Sequence, residues 1–257
     1  MTATSGVVLV LGSAPDVIQC RDWPRSGFDT VVAINNAWQV RKDWDYLVAP
    51  DDFPTDKRPQ ELSPGQQVIG SDVYVPANNQ FGGILYAGGT MAFTAGYWAL
   101  WELRPRVMAF LGCDMIYAPQ KASHFYGQGR ADPLRDDISL RNLEAKSARL
   151  MLHAARMGCA CVRLSTGPSR LVFPSVSRRV LGTIADPSSQ ADFGAFDAAV
   201  ALEQQFGYSV PSGRYWQEAA RFDVAHIDAV DTAWMTALSA AGRDLLGTAK
   251  PVVQKAG

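Results

Sequence analysis

The stretch VVLVLGSAPD, Val7 to Asp16, decides the fold. Val7 to Leu11 is an unbroken apolar run rich in β-branched residues, the pattern of a strand buried on both faces of a parallel sheet. Gly12 ends it. Gly12-Ser13-Ala14-Pro15-Asp16 then makes a small-residue turn, with a short helix expected after it. The pattern returns outward along the chain. Thr30 to Ile34 is a second buried strand, ending in Asn35-Asn36. Tyr46 to Ala49 is a third, ending in Pro50-Asp51-Asp52. Gln67 to Gly70 is a short fourth. Val107 to Leu111 ends in Gly112-Cys113-Asp114, and Cys161 to Leu164 is the last.

Helical segments separate these strands. Ala37 to Lys42 predicts one or two helical turns, and Phe53 to Gly65 is polar and Pro-rich loop. A Gly-rich stretch leads into a helix over Thr90 to Leu103. Met115 to Asp137 is a long polar connection, and such a length commonly carries function. Ser139 to Met157 has helical periodicity, with Leu140, Leu143, Ala148, Leu150 and Met151 on one side and Arg, Glu and Lys on the other. Strands alternating with helices predict an α/β fold, a doubly wound and mostly parallel Rossmann-like sheet over residues 1–182. After about Thr183 the character changes. Asp192 to Phe206 and Val224 to Ala241 read as helices joined by a loop with Pro211 and Gly213. Residues 183–257 form a helical C-terminal extension that packs on the sheet, acts as a lid, or joins copies into a homo-oligomer.

The 257 residues carry 24 Lys and Arg against 25 Asp and Glu, a net charge of -1 that argues against a dedicated binder of nucleic-acid polymer. With 47% hydrophobic and 19% charged residues the composition is that of a soluble globular protein. Four isolated cysteines and the absence of zinc spacings fit buried thiols in a reducing cytoplasm, and no metal site is expected. The opening apolar run lacks a basic flank and reads as strand rather than signal peptide. Val73 to Trp101 holds no charge and is long enough to cross a bilayer. It also holds Pro76, Asn78, Asn79 and Gln80, so a buried loop and helix fit better than a membrane span.

The strand ends carry the candidate chemistry. Gly12, Ser13 and Ala14 would let backbone approach a phosphate; a tight strand-to-helix turn explains them equally. Neither GxGxxG nor a GxxxxGK[ST] loop is present. Asn35 and Asn36 could hold a sugar or nucleobase, or cap a helix. Asp51 and Asp52 could accept ribose hydroxyls or hold a divalent cation, or shape a turn. Asp43-Trp44-Asp45 precedes a strand and is discounted as a metal site. Gly89 and Thr90 start a helix, for an anion or for close packing. Asp114 ends a strand, with Tyr117 just beyond. In Ser123-His124-Phe125-Tyr126-Gly127, His124 could serve as a general base near neutral pH. His153 and His226 read as structural.

VVLVLGSAPDV, VVAINNAW, GGTMAFTAGYWAL, FLGCDMIY and SHFYG occur in an order that resembles bacterial lipooligosaccharide sialyltransferases, and also the domain-of-unknown-function-115 proteins. The latter include flagellin-glycosylation proteins and archaeal pterin pyrophosphokinases. The resemblance covers about Val7 to Leu164. It implies a glycosyltransferase-like enzyme that uses a CMP-sugar type donor and a glycan or small acceptor, without an essential metal. Gly12, Ser13 and Ala14 would line the nucleotide phosphate. Asn35 would hold the nucleotide or sugar, and Gly89 and Thr90 would start the helix beneath the donor. Asp114 and Tyr117 would lie near the phosphate or ribose. His124 would be the base, with Tyr117 or Tyr126 hydrogen-bonding the departing phosphate. The expected location is the cytoplasm, free or peripheral to the inner membrane. The chain departs from the pattern: Ala14 replaces a Gly, Asp16 replaces a Ser, and Gln128 stands where the family's catalytic His belongs. Two alternatives therefore stay open, a Mg²⁺-dependent pyrophosphokinase or phosphotransferase and a non-catalytic nucleotide- or partner-binding module.

Overall fold

The computed structural model describes residues 6–86, 89–116, 124–127, 137–189 and 192–241. β1 (Val7–Leu11) is central. β2 (Thr30–Ile34), β3 (Tyr46–Val48) and β4 (Gln67–Ile69) step away on one side, and β5 (Val107–Leu111) and β6 (Ala160–Arg163) on the other. Every pairing is parallel, giving a six-stranded Rossmann-like sheet of order 4-3-2-1-5-6.

Successive side chains of a strand point to opposite faces, and here both faces are buried. Val8, Val10, Val32, Ile34, Met108 and Phe110 join one core. Val7, Leu9, Leu11, Val31, Ala33 and Val107 join the other. That is why the strands read as continuous apolar runs. The two faces are covered unequally. α1 (Ser71–Asn79), α2 (Met91–Glu102) and α3 (Leu143–Arg156) cover the first face, and α4 (Gly194–Phe206) and α5 (Val224–Ala240) pack outside them. The second face is covered by 3₁₀ turns and loops, among them Pro15–Cys20, Asn35–Gln39 and Arg178–Thr183, which bring Val17, Cys20, Ala37 and Leu181 onto the sheet.

One local expectation changes. Ser71–Asn79 is helical although Pro76 lies inside it. Proline removes the bond to the carbonyl four residues back; Asp72 and Pro76 are both exposed, where water can replace it. The uncharged window is thus divided between α1 and α2, and no helix among the described residues is long and apolar enough to cross a membrane.

Opposite its apolar side α3 carries Arg, Glu and Lys, and two of these, Lys146 and Arg149, are fully buried under α4 and α5. Arg149 makes two hydrogen bonds to Glu203, Nε to Oε2 at 2.8 Å and Nη2 to Oε1 at 2.6 Å, and a third to the Tyr97 hydroxyl at 2.7 Å. It also donates to the Phe81 carbonyl. Lys146 pairs with Asp231 at 3.2 Å. A buried charge is tolerated only when paired and hydrogen-bonded, and these pairs tie α3 to both C-terminal helices, Arg149 to α4 and Lys146 to α5. One hydrophobic cluster runs without a break from Val8 through Trp98 to Phe196 and Trp234.

Cys20, Cys113, Cys159 and Cys161 are free and buried. The DxD carboxylates are engaged in structure: Asp43 with Arg41 at 2.6 Å, Asp45 with Arg25 at 2.6 Å and with the Val31 N–H at 2.7 Å. His153 is packed among Phe81, Phe196 and Trp234, and burial holds its ring neutral.

Candidate functional site

In an open parallel sheet, ligands bind beyond the carboxyl ends of the strands where the strand order reverses. The chain steps from β1 out to β4 and then returns to β5 on the other side of β1, so the reversal lies between β1 and β5.

The turns after these two strands interlock. The Gly12 N–H donates to the Leu111 carbonyl at 2.8 Å, and the Ala14 N–H to the Gly112 carbonyl at 2.9 Å. A Cβ on Gly12 would stand 2.2 Å from the Gly112 oxygen and 2.7 Å from the Cys113 sulfur. Gly112 itself has φ of 72°, and a Cβ there would meet Val17 at 2.7 Å. Gly12 and Gly112 are therefore required by the approach of two backbones, and the N–H groups of Gly12 and Ala14 already have carbonyl partners. Gly12→Ala is expected to cost about 2–3 kcal/mol through overpacking against backbone that cannot yield. Urea denaturation measures it; a loss under about 0.5 kcal/mol, the range of an ordinary surface change, would contradict the close approach.

The crevice beyond these turns holds carboxyl groups. Asp16 opens the 3₁₀ turn after β1, and its Oδ1 is buried without a hydrogen-bond partner. Burial first, and the nearby Asp114 second, push its carboxyl up to about 6. Asp114, half-buried after β5, is raised by burial, against hydrogen bonds from backbone N–H groups that include Ile116. Buried unpartnered oxygens are rare and mark strain, ligands or catalysis. Asn35 supplies another. It ends β2 beside β1, holds φ of 50°, and its side-chain oxygen is buried without a partner. A non-glycine residue in this left-handed region is uncommon. Asn36, next to it, is buried, with its oxygen 3.5 Å from the Gln39 amide.

Two motifs far apart in sequence meet here. The Phe125 N–H donates to the Ser13 carbonyl at 2.9 Å, seating the His124–Gly127 segment on the turn after β1. Within that segment His124 stacks on Tyr126, ring centroids 4.9 Å apart. His124 is buried and Tyr126 exposed. Burial lowers the imidazole from its usual value, so it is neutral at pH 7. Tyr117 and Gln128, singled out from the sequence, lie outside the described residues.

A cleft of about 460 Å³ opens at the carboxyl ends of β3 and β4. Its walls are Asp51 and Asp52, the first turns of α1 and α2, and residues 212–217 of the C-terminal segment. Asp51 accepts from the Ser71 hydroxyl at 2.7 Å. Burial, then Asp51 and Asp52, push the Tyr74 phenol up to about 12, so it stays protonated. Thr90 caps α2 by accepting from the Ala92 N–H at 3.1 Å, and Gly89 lies where a Cβ would meet Leu140 at 2.3 Å. Both residues have a packing role.

The carboxyl edge thus carries two neighbouring features. Asp16, Asp114, Asn35 and the His124 segment gather about the reversal; Asp51 lies with the cleft. Neither Asp16 nor the contribution of residues 212–217 was foreseen. The replacement of a Ser by Asp16 was visible, but its burial was not. Among the described residues no three His, Cys, Asp or Glu side chains gather as a metal-binding group. Comparison with known proteins finds no matching family model, no matching curated protein and no matching solved structure.

Proposed function

We propose that this chain is a glycosyltransferase-like enzyme that takes a nucleotide-activated sugar at the carboxyl edge of its sheet and transfers the sugar to a hydroxyl acceptor. The parallel Rossmann-like fold is compatible with nucleotide binding. The observation that carries the proposal is Asp16, a carboxyl with a buried unpartnered oxygen at the reversal between β1 and β5.

Such a transfer needs a base to take the acceptor's proton and donors to steady the departing phosphate. A carboxyl raised to about 6 is largely ionised at pH 7 and still basic enough to accept a proton. In this proposal Asp16 is that base. His124, neutral but buried and ring-stacked, is the second candidate, and Tyr126 beside it is placed to donate a hydrogen bond. Asn35 offers an oxygen to a donor hydroxyl or base amine. The short-motif resemblance to the sialyltransferases supports a CMP-linked donor.

The Asp16–Asp114 pair favours a second reading, Mg²⁺-dependent phosphotransfer, since carboxylates and phosphate oxygens together are the usual ligands of that ion. A thermal-shift series separates the two. CMP without metal is expected to raise the melting temperature by about 5 °C at a hundredfold excess over Kd. A shift with ATP and Mg²⁺ but none with CMP selects phosphotransfer. No shift with any nucleotide rejects both.

A further inference from the structure

The cleft beside β3 and β4 has features that packing does not require. Its mouth carries Trp216, which is 61% exposed although an indole is costly to leave in water. The segment that presents Trp216 is firmly held. The Tyr215 hydroxyl donates to Asp137 at 2.9 Å and lies 3.0 Å from the Ser139 hydroxyl. The Val210 carbonyl accepts from Asn79 at 3.2 Å and from the Gly213 N–H at 2.9 Å. Gly213 sits so close to α1 that a Cβ would stand 2.6 Å from Val75. An aromatic ring is thus offered to solvent on a fixed support.

Two of the three charged residues facing the cleft, Asp52 and Arg214, have no ion-pair partner among the described residues. Asp51 is oriented by Ser71. A carboxylate accepts two adjacent hydroxyls at once, a guanidinium grips a phosphate through paired N–H groups, and an indole stacks on a base or an apolar ring face. The volume of about 460 Å³ is within the range of small-molecule sites.

We propose that this cleft binds a ring bearing a vicinal diol and an anionic group, and that residues 212–217 of the C-terminal segment complete the site. Asp51 and Asp52 take the diol, Arg214 the anion and Trp216 the flat face. A nucleotide's ribose phosphate and a sugar phosphate share this chemistry. The site rests on the nucleotide-donor reading only for the first of these sources.

The test uses the full chain and isothermal titration with two sets of probes: CMP, UMP and AMP, then ribose 5-phosphate and glucose 6-phosphate. At least one probe is expected to bind. Trp216→Ala and Asp52→Asn should each weaken it about tenfold or more while leaving the melting temperature unchanged. Binding by a sugar phosphate and by no nucleotide upholds the cleft and removes the nucleotide donor. Binding by no probe, or an affinity unchanged in either variant, overturns the proposal.

Discussion

Glu203→Ala is expected to destabilise the fold by about 3–5 kcal/mol, the cost of leaving one charge of a buried pair alone. Arg149 would keep its place between α3 and the C-terminal helices with its bidentate partner gone. The Trp234 indole N–H, which donates to Glu203 at 3.1 Å, would lose its acceptor too. The Tyr97 hydroxyl and the rings of Tyr86, Tyr97 and Trp234, 4.7, 5.2 and 5.4 Å from the guanidinium carbon, cannot neutralise a full charge. Urea unfolding measures the loss. The double variant Arg149→Met with Glu203→Ala should lose less than Glu203→Ala alone, because no charge is then stranded. A single-variant loss under about 1 kcal/mol, the scale of an exposed pair, would show that the pair is solvated in solution.

Asp16→Asn is expected to lower transfer by about 10²–10⁴-fold, the usual contribution of a general base. The assay is CMP release from a CMP-sugar with lactose as acceptor. In the native protein the rate should rise with pH through about 6, as Asp16 loses its proton. Stability moves in the opposite direction. The folded carboxyl binds its proton more tightly than the unfolded one, whose value is 3.8. The folded state therefore loses stability as pH rises from about 4 to about 6 and is level above that. The group is half-buried, so solvent screening reduces this to about 1 kcal/mol, which Asp16→Asn should recover at pH 8. His124→Ala is the comparison. If it abolishes transfer while Asp16→Asn leaves it unchanged, the base is His124.

The strands were legible because burial on both faces leaves an unambiguous run of residues such as Val7 to Leu11. α1 was not, because Pro76, Asn78 and Asn79 signal a loop; the bonds that support it lie elsewhere. Asn78 donates to the carbonyl of Thr94 in α2, and Asn79 to that of Val210. The burial of α3's charged side was hidden for a related reason. Lys146 and Arg149 find their counter-charges 85 and 54 residues away, and a helical pattern carries no sign of a partner at that distance. At the candidate site, residue types were readable and surroundings were not. Gly12 gave no sign that a second glycine, from the turn after β5, lies against it. Asp16 looked like an ordinary turn residue until Asp114 and a buried oxygen were placed beside it. Trp216 was one tryptophan of seven, and only its exposure set it apart.

The central position of β1 has a consequence for the order of assembly. Its partner on one side follows within a short span of chain, Val8 against Thr30. Its partner on the other side is Val107, paired with Val7. While the chain is being made, β1 to β4 can pair in sequence as a half-sheet. Until β5 arrives, that half-sheet ends in an open edge of five apolar residues, Val7–Leu11, with its hydrogen-bonding groups unsatisfied. Pairings so distant in sequence close slowly, and an open apolar edge invites association with other chains. Of the strands paired on both sides, β1, which borders the candidate crevice, is thus the one that waits longest for its second partner.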